Sequence, residues 1–266
     1  MSLPAFESLE SRRLFTAVLY NRVLNITGKE GNDNITVSQS AKRLYLVDNG
    51  VNWSYKLGDV RLMDVQLGTG NDKFVCNQSN VTVRSRVWGG RGHDQIVTGN
   101  MDDSLYGGDG NDMLHGGGGD DYFDGNAGAD DINGGAGSKD LVDYRLRTGA
   151  LHITMGSEGT PDNDGEAGEG DNIHTDIEMV YGGSGADYLF TNSTRAVKFF
   201  GFAGNDTLIS GAGNDLLDGG DGRDSLEGSA GNDILMAFDA FADTLHGGTG
   251  SDTANADILD TLFSIP

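Results

Sequence analysis

Apolar residues recur at every ninth position through the middle of the chain, together with glycines and an aspartate. Six consecutive units of the form G-G-x-G-x-D-x-U-x, where U is apolar, run from Gly89 to Val142. A fixed period of this length predicts a solenoid that binds metal between its own turns. Each unit divides into a six-residue turn and a three-residue strand whose residue U points inward. The predicted core residues are Ile96, Leu105, Leu114, Phe123, Ile132, Leu208, Leu217, Leu226, Leu235 and Leu245.

The same pattern divides the chain into regions. The expected order is an N-terminal tail with a possible export or sorting segment, a β-rich region with two degenerate repeats, a first tandem block, an acidic insertion, a second tandem block and an apolar C-terminal cap. Their predicted bounds are 1–18, 19–88, 89–142, 143–181, 182–255 and 256–266.

The β-rich region contains a hairpin signal. Asn49 and Gly50 separate two strand-like runs, 43–47 and 51–57, and both turn residues of such a loop must accept a positive φ. Further strands are predicted at 60–67, 81–87 and 151–155 because apolar and β-branched residues are concentrated there.

Composition points to cations as ligands. The chain has 43 glycines and a net charge of −23, with 41 acidic against 18 basic residues. This charge should repel nucleic acid and make a compact chain repel itself, and bound cations would relieve that repulsion. The single cysteine, Cys76, cannot form an intramolecular disulfide and is expected to be buried. No apolar run reaches the roughly 18–20 residues of a membrane span.

Two units make one coil of 18 residues, so turns 18 residues apart should stack directly. Between stacked turns lie only backbone carbonyls and the carboxylate at position 6. Oxygen-only, flexible coordination favours Ca²⁺ over Mg²⁺ and over thiol- or imidazole-seeking metals. Aspartate is also a common turn-capping residue. Turn capping would explain the aspartate of a single unit. It does not explain why aspartate recurs at the same position through six units, because turn formation does not require it there.

The six-unit run, the G-G-x-G-x-D spacing and the second block resemble the repeats-in-toxin (RTX) family, whose members carry hemolysin-type calcium-binding repeats. The resemblance implies an all-β, right-handed parallel β-roll with several Ca²⁺ ions between its turns, secretion from a bacterium, and unfolding without calcium. By the same resemblance, the expected carboxylate ligands are Asp94, Asp103, Asp112, Asp121, Asp130, Asp187, Asp206, Asp215, Asp224, Asp233, Asp243 and Asp252.

Some units depart from the repeat. Lys139 stands where aspartate is expected and is interpreted as the end of the first block. Asp33 and Asp72 have no partner unit 18 residues away, so calcium is not expected there, and the unit at Phe238 is the weakest tandem site. Turns are expected to distort where glycine is replaced, at Thr98, Met101, Asn126, Ser210 and Ser229.

The sequence offers no catalytic motif. H-E-x-x-H, G-x-S-x-G and Gly-Lys-Ser/Thr are absent, and the five histidines are scattered and interpreted as exposed fillers. The expected function is therefore that of an extracellular, non-enzymatic calcium-binding protein with a structural, adhesive or surface-binding role. A polysaccharide or a cell-surface component is a possible partner, and the oligomeric state is open. The alternative is an accessory module or remnant of a secreted polysaccharide-modifying enzyme, since some epimerases carry similar repeats.

Overall fold

A computed structural model describes residues 16–48, 51–77, 81–156 and 164–265. These residues form short strands and turns, and the helical element among them is a single 3₁₀ turn, Leu57–Asp59. The predicted N-terminal tail up to residue 15, the tip of the predicted hairpin at Asn49 and Gly50, and residues 157–163 of the acidic insertion lie outside the described residues.

The strands follow one another with few residues between them. In chain order they are β1 (Thr16–Tyr20), β2 (Val23–Thr27), β3 (Asn34–Gln39), β4 (Arg43–Asp48), β5 (Val51–Lys56), β6 (Leu62–Thr69), β7 (Lys73–Cys76), β8 (Arg84–Arg91), β9 (Gln95–Val97), β10 (Ser104–Asp109), β11 (Met113–Gly118), β12 (Tyr122–Ala127), β13 (Asp131–Ala136), β14 (Leu141–Asp143), β15 (Leu151–Met155), β16 (Gly165–Glu166), β17 (Asn172–Ile173), β18 (Met179–Tyr181), β19 (Tyr188–Thr191), β20 (Lys198–Ala203), β21 (Thr207–Ile209), β22 (Leu216–Asp221), β23 (Ser225–Glu227), β24 (Ile234–Ala237), β25 (Thr244–His246), β26 (Thr253–Ala256) and β27 (Thr261–Phe263).

Successive strands alternate between two faces of a solenoid. Sheet A has the order β1-β2-β6-β8-β10-β12-β14-β18-β20-β22-β24-β26 and follows one face through both tandem blocks. The other face consists of sheet B, β17-β13-β11-β9-β7-β3-β4-β5, and sheet C, β16-β15-β19-β21-β23-β25-β27. Strands one coil apart are parallel, with Leu105 in register with Val87 and Phe123. The described residues thus form a parallel β-solenoid of about 10 turns, which confirms the predicted β-roll.

The acidic insertion changes one face and leaves the other continuous. In sheet A, β14 pairs directly with β18 although 35 residues separate Asp143 from Met179 in the sequence. On the opposite face, β17 pairs with β13 as the last strand of the ladder in sheet B, while β15 pairs with β19 in sheet C. The two tandem blocks therefore share one sheet but have separate sheets on the other face.

The core is the predicted stack of position-8 side chains. All ten predicted core residues are at most 1% exposed and belong to one buried apolar cluster. Burial of one large apolar side chain per nine-residue unit is the main apolar contribution that such short strands can make. Cys76 is buried as expected, and burial raises the pKa of its thiol far above its ordinary value.

The two ends of the solenoid differ. At the N-terminal end, β1 pairs antiparallel with β2, and β3, β4 and β5 form an antiparallel meander in which Asp48 lies opposite Val51. That pairing confirms the two strands of the predicted hairpin. The Tyr55 hydroxyl donates to the Ala17 carbonyl at 3.1 Å and links the two sheets there. At the other end, β26 and β27 extend sheets A and C in parallel, and Phe263 is 48% exposed.

Candidate metal centre

Carboxylates form a hydrogen-bonded ladder along one edge of the solenoid. Oδ1 of Asp112 accepts the backbone N–H of Asp94 at 2.7 Å, and Oδ1 of Asp130 accepts the N–H of Asp112 at 2.8 Å. The same bond recurs in the turns that lead from sheet A to the opposite face. We call this set the first-edge ladder; its members are Asp33, Asp72, Asp94, Asp112, Asp130 and Asp171, followed after a break by Asp187, Asp206, Asp224, Asp243 and Asp260.

A second ladder lies along the other edge, in the turns that lead back to sheet A. Asp103 accepts the N–H of Ser85 and begins it, and after the insertion Asp215 accepts the N–H of Val197 and begins it again. We call this set the second-edge ladder; its members are Asp103, Asp121, Asp140 and Glu178, followed after a break by Asp215, Asp233 and Asp252.

The other carboxylate oxygen, Oδ2, is buried and accepts no hydrogen bond in ten of the twelve aspartates expected to be ligands. These aspartates are at most 4% exposed. A buried carboxylate oxygen without a donor is costly, and native structures pair such groups or place them on a metal. The ten are Asp94, Asp112, Asp121, Asp130, Asp206, Asp215, Asp224, Asp233, Asp243 and Asp252.

Glycine at position 1 leaves space beside these oxygens. A Cβ added at Gly107 would overlap Oδ2 of Asp112 and lie 2.7 Å from the carbonyl oxygen of Gly125 in the next turn. Gly107 is absent from the residues with a positive φ, so backbone conformation is not what requires glycine there. Carboxylate and carbonyl oxygens therefore converge on a gap that a side chain at position 107 would fill. Hard cations with oxygen ligands suit such a gap.

Burial makes the ionised form of these groups unfavourable in the metal-free fold. It raises the pKa of Asp112 to about 7 and that of Asp121 to about 8. Burial, with the nearby Asp171 carboxylate, raises the pKa of Asp130 to about 9. Few basic side chains reach the ladders, so a bound cation is the group best able to stabilise several buried carboxylates in their ionised form.

Two of the twelve predicted ligands differ from the rest. Oδ2 of Asp103 accepts the N–H of Gly99 at 3.1 Å, and Oδ2 of Asp187 accepts the N–H of Gly183 at 2.7 Å. In the Asp103 turn, moreover, position 1 is Thr98, whose hydroxyl donates to the Gly116 carbonyl at 2.7 Å. In these two turns a backbone N–H donates to Oδ2, which accepts no hydrogen bond in the other ten predicted ligands. The position-1 hydroxyl is not peculiar to the Asp103 turn, because Ser210 donates to the Gly228 carbonyl at 3.1 Å in the Asp215 turn.

Glycine replacement does not distort the turns at two of the expected positions. Asn126 and Ser229 adopt left-handed φ values of 68° and 64°, as the glycines at position 2 do, and so does Phe202 with 73°. These conformations cost energy in residues other than glycine. At Asn126 and Ser229 the expectation of distortion is therefore wrong, because the stacking of neighbouring coils holds the turn.

The degenerate repeats do have partners in the stack. Asp33 donates its N–H to Asp72 and Asp72 donates its N–H to Asp94, at sequence separations of 39 and 22 residues. No unit lies 18 residues from either, as the sequence indicates, but each has a stacking partner at a longer separation, because extra residues such as the β4–β5 hairpin leave the coil between them. Each turn departs from the regular one in a single respect. Gly28 leaves the usual space beside Oδ2 of Asp33, but that oxygen accepts the Lys29 N–H at 2.9 Å. Oδ2 of Asp72 is buried without a donor, but buried Leu67 takes the place that Gly89 has in the next turn.

The assignment of Lys139 to the aspartate position is wrong. Lys139 points outward with its side chain 63% exposed and its Nζ 3.9 Å from Oδ2 of Asp120. Oδ1 of Asp140 instead accepts the N–H of Asp121 at 2.7 Å, 19 residues away. The inward residue two positions later is Val142, which is fully buried. The unit at Gly134 thus has one inserted residue. The sequence signal for it is the spacing of Asp140 and Val142, which are two residues apart, as the aspartate and the inward apolar residue are in a regular unit.

Two histidines are more than exposed fillers. The His174 side chain is 17% exposed, and its Nε2 lies 2.8 Å from Oδ1 of Asp131. His93 belongs to a row of side-chain acceptors. The Asn111 N–H donates to Nδ1 of His93 at 2.7 Å, and the His93 N–H donates to Oδ1 of Asn71 at 3.0 Å. Asn71 in turn donates its own N–H to Oδ1 of Asn32 at 2.9 Å. Position 5 therefore carries an outer ladder of side-chain acceptors, which accounts for the frequent Asn-Asp pairs in the sequence.

The ladders are not clusters of side chains of the kind that bind zinc. Within the described ranges, no three His, Cys, Asp or Glu side chains come together as a metal-binding group. A cation between the turns would therefore draw on backbone carbonyls as well as carboxylates, as calcium does. The same ranges contain no helix with the length and apolar character that crossing a bilayer requires.

Comparison with known proteins agrees with this geometry. A family model described as the RTX calcium-binding nonapeptide repeat matches residues 88–123, 106–138, 176–193, 200–235 and 239–258. The search of curated proteins gave no match to this chain.

Proposed function

The chain belongs to the RTX calcium-binding nonapeptide repeat family, and from that premise we propose that it is an extracellular protein whose β-roll folds when Ca²⁺ binds between its turns. The observation that carries this proposal is the row of buried Oδ2 atoms without hydrogen-bond donors along both ladders. The ten aspartates that own these atoms are the proposed carboxylate ligands. Asp103 and Asp187 are proposed as weaker ligands, because backbone N–H groups already occupy their Oδ2 atoms.

Calcium supplies the charge that the sequence lacks. The net charge is −23, and each ladder places carboxylates of successive coils next to one another. In the metal-free fold these negative charges repel one another. Extracellular calcium modules bind with Kd values of about 10⁻⁴–10⁻³ M. Several such sites on one core stabilise the folded state jointly by mass action. The chain therefore remains unfolded at low calcium inside the cell and folds after export.

The proposed biological role is structural or adhesive rather than catalytic. The repeats form a structural calcium-binding fold, and the two ladders contain most of the buried carboxylates among the described residues. We propose secretion from a bacterium and a polysaccharide or cell-surface component as partner. Incubation with anionic polysaccharides tests this role: binding without turnover is the expected result, whereas turnover would favour the polysaccharide-modifying alternative.

Circular dichroism of the full chain tests calcium-dependent folding. In EDTA at pH 8 the β-sheet signal should be lost, and millimolar Ca²⁺ should restore it, whereas equal Mg²⁺ should restore much less because Mg²⁺ dehydrates reluctantly. A spectrum that is the same in EDTA and in Ca²⁺ would contradict the proposal.

A further inference from the structure

Aromatic and acidic side chains form a row on the outer surface of sheet A. Each member directly follows an inward core residue, and the strand register places the members of successive coils next to one another. We call this set the sheet A row; in order along the solenoid its members are Trp88, Tyr106, Asp124, Asp143, Tyr181 and Phe200. The row crosses the junction between the two tandem blocks, and neither carboxylate ladder includes any of its members.

The first part of the row is an aromatic group that an arginine extends. The rings of Trp88 and Tyr106 are stacked, with their centroids 5.3 Å apart and an interplanar angle of 11°. Tyr122 adjoins the row, and its ring centroid lies 5.5 Å from that of Tyr106. The Arg86 guanidinium lies 4.9 Å from the centre of the Trp88 ring. All three rings are partly exposed, so this group presents aromatic surface to solvent.

A second aromatic group lies further along the row, beyond its two aspartates. The Tyr181 ring meets the Phe200 and Phe202 rings edge to face at centroid distances of 5.1 and 5.5 Å, and the Arg145 guanidinium lies 4.9 Å from its centre. Phe202 is 39% exposed and has the left-handed φ of 73° where a regular turn has glycine. A bulky residue in this conformation costs energy, and strained residues of this kind cluster at binding sites.

A polar pocket separates the two aromatic groups. It is lined by Tyr122, Asp124, Asp143, Arg145 and Leu146. Arg145 donates from Nη2 to Oδ2 of Asp143 at 2.6 Å, and the Tyr122 hydroxyl donates to the same oxygen at 2.9 Å. The Arg145 side chain is nevertheless 50% exposed, and the Asp124 carboxylate is partly exposed beside it. A hydrogen-bond donor and an acceptor therefore both reach solvent between the aromatic groups.

We propose that the sheet A row binds a linear polysaccharide chain that lies along the solenoid axis. The inference rests on the polysaccharide partner of the proposed function and assigns a surface to it. A pyranose ring has an apolar C–H face and a rim of hydroxyl groups, so it binds where aromatic surface lies beside a few polar groups. The row offers aromatic, polar and again aromatic surface over six successive coils. This direction and length suit an extended polymer.

The charges of this face favour a ligand that is recognised by its sugar rings. Arg86 pairs with Oδ2 of Asp64 at 2.6 Å and Arg145 pairs with Asp143, so a carboxylate neutralises each arginine that lies over an aromatic ring. A single-stranded nucleic acid also stacks on aromatic rings, but it needs an excess of positive charge that these paired arginines do not supply. An apolar protein surface would cover the Asp124 carboxylate without donating hydrogen bonds to it, which is costly.

Calorimetric titration of the full-length protein in Ca²⁺ tests the row, with cellohexaose as an uncharged probe and hexagalacturonate as an anionic one. The wild type should bind at least one of them without turnover. Trp88→Ala and Tyr181→Ala each truncate one aromatic group and should each lower the affinity about tenfold. Trp88→Phe should keep most of the affinity, because phenylalanine retains an aromatic face. Tyr45→Ala is the matched control, since Tyr45 is exposed but lies on sheet B.

Two outcomes of these titrations would overturn the proposal. Equal affinities of the wild type and both alanine variants would place the saccharide on another surface. A preference for hexagalacturonate that is lost at high salt would show recognition of charge instead of sugar rings. If the protein folds in Ca²⁺ and binds neither saccharide, the sheet A row and the polysaccharide partner are both refuted, whereas calcium-dependent folding stands.

Tryptophan fluorescence gives a second measurement that decides even if Trp88→Ala does not fold. The chain has two tryptophans, Trp53 and Trp88, so Trp53→Phe leaves Trp88 as the sole source of tryptophan emission. A saccharide bound on the row should shift the emission of Trp88 and protect it from quenching by iodide. Unchanged emission and quenching in a Trp53→Phe protein that binds the saccharide would overturn the proposal.

Discussion

The backbone N–H of Asp94 donates a 2.7 Å hydrogen bond to Oδ1 of Asp112, the aspartate one coil further on. This bond uses one oxygen of the carboxylate to hold two coils in register and leaves Oδ2 beside Gly107 without a donor. One side chain therefore has two functions, since it stabilises the stack directly and presents a charged oxygen to a cation. The period of the repeat is needed for both.

Asp112→Ala should raise the calcium concentration at the folding midpoint several-fold. The substitution removes a proposed ligand and leaves the buried Asp94 N–H without an acceptor, which costs about 1–3 kcal/mol. Asp33→Ala should have a smaller effect, because Oδ2 of Asp33 already accepts the Lys29 N–H and is less available to a cation. Calcium titrations followed by circular dichroism measure both midpoints, and equal shifts would refute this ranking.

Gly107→Ala should weaken calcium binding without any backbone strain. Its Cβ would fill the gap between Oδ2 of Asp112 and the Gly125 carbonyl, whereas Gly107 itself does not adopt a positive φ. Gly58→Ala is the matched control, because nothing lies within 4 Å of its added Cβ and its φ is also not positive. Calorimetry should show loss of affinity or of one site for the first variant only. The same calcium isotherm for both would mean that the gap does not hold the ion.

The sequence predicts the parts of the fold that depend on the nine-residue period. Position 8 identifies the core, and position 6 identifies the residues that stack at intervals of 18. It does not predict the pairing of Asp33 with Asp72, or of Asp130 with Asp171 across 41 residues, because these depend on where the extra residues leave the coil. The repeat pattern missed Asp140 for a related reason. One inserted residue moves the ladder aspartate from position 139 to position 140. The shift is visible in the sequence only because the inward apolar residue, Val142, lies two positions after Asp140.

The metal-free protein should be more structured at pH 5 than at pH 8. In the fold, burial raises the pKa of Asp112 to about 7 and that of Asp121 to about 8, above the ordinary value of 3.8. A carboxyl group whose pKa is raised on folding stabilises the fold when protonated, and this contribution is lost as the pH rises through the folded-state pKa. Circular dichroism in calcium-free buffer between pH 5 and pH 8 measures it. A signal that grows toward pH 8 would contradict this assignment of the buried groups.

Calcium should reverse that dependence, because it binds the ionised carboxylates. The calcium midpoint should therefore fall as the pH rises from about 5.5 to 8, since Ca²⁺ and protons compete for the same oxygens. The double substitution Asp112→Asn and Asp121→Asn should flatten the pH dependence of the metal-free fold. Asp109→Asn, at an exposed position, serves as its control and should leave the dependence as it is in the wild type.

Arg195 should stabilise the second-edge ladder without taking part in calcium binding. It donates from Nη1 to Oε1 of Glu178 at 2.9 Å, while Oε2 of Glu178 accepts the Asp140 N–H at 3.1 Å. Both oxygens of this carboxylate are therefore occupied, and an arginine supplies the positive charge at the point where the ladder is interrupted. Because the Arg195 side chain is 52% exposed, Arg195→Gln should cost only about 1 kcal/mol.

Thermal unfolding in saturating Ca²⁺ should show a lower midpoint for Arg195→Gln and an unchanged number of bound ions. Glu178→Gln in the same background should recover much of the loss, because it removes the carboxylate charge that was left without its partner. Arg84→Gln, which breaks an exposed pair with Asp102, is the control and should change the midpoint less. A change in the number of bound ions with Arg195→Gln would instead place Glu178 among the calcium ligands.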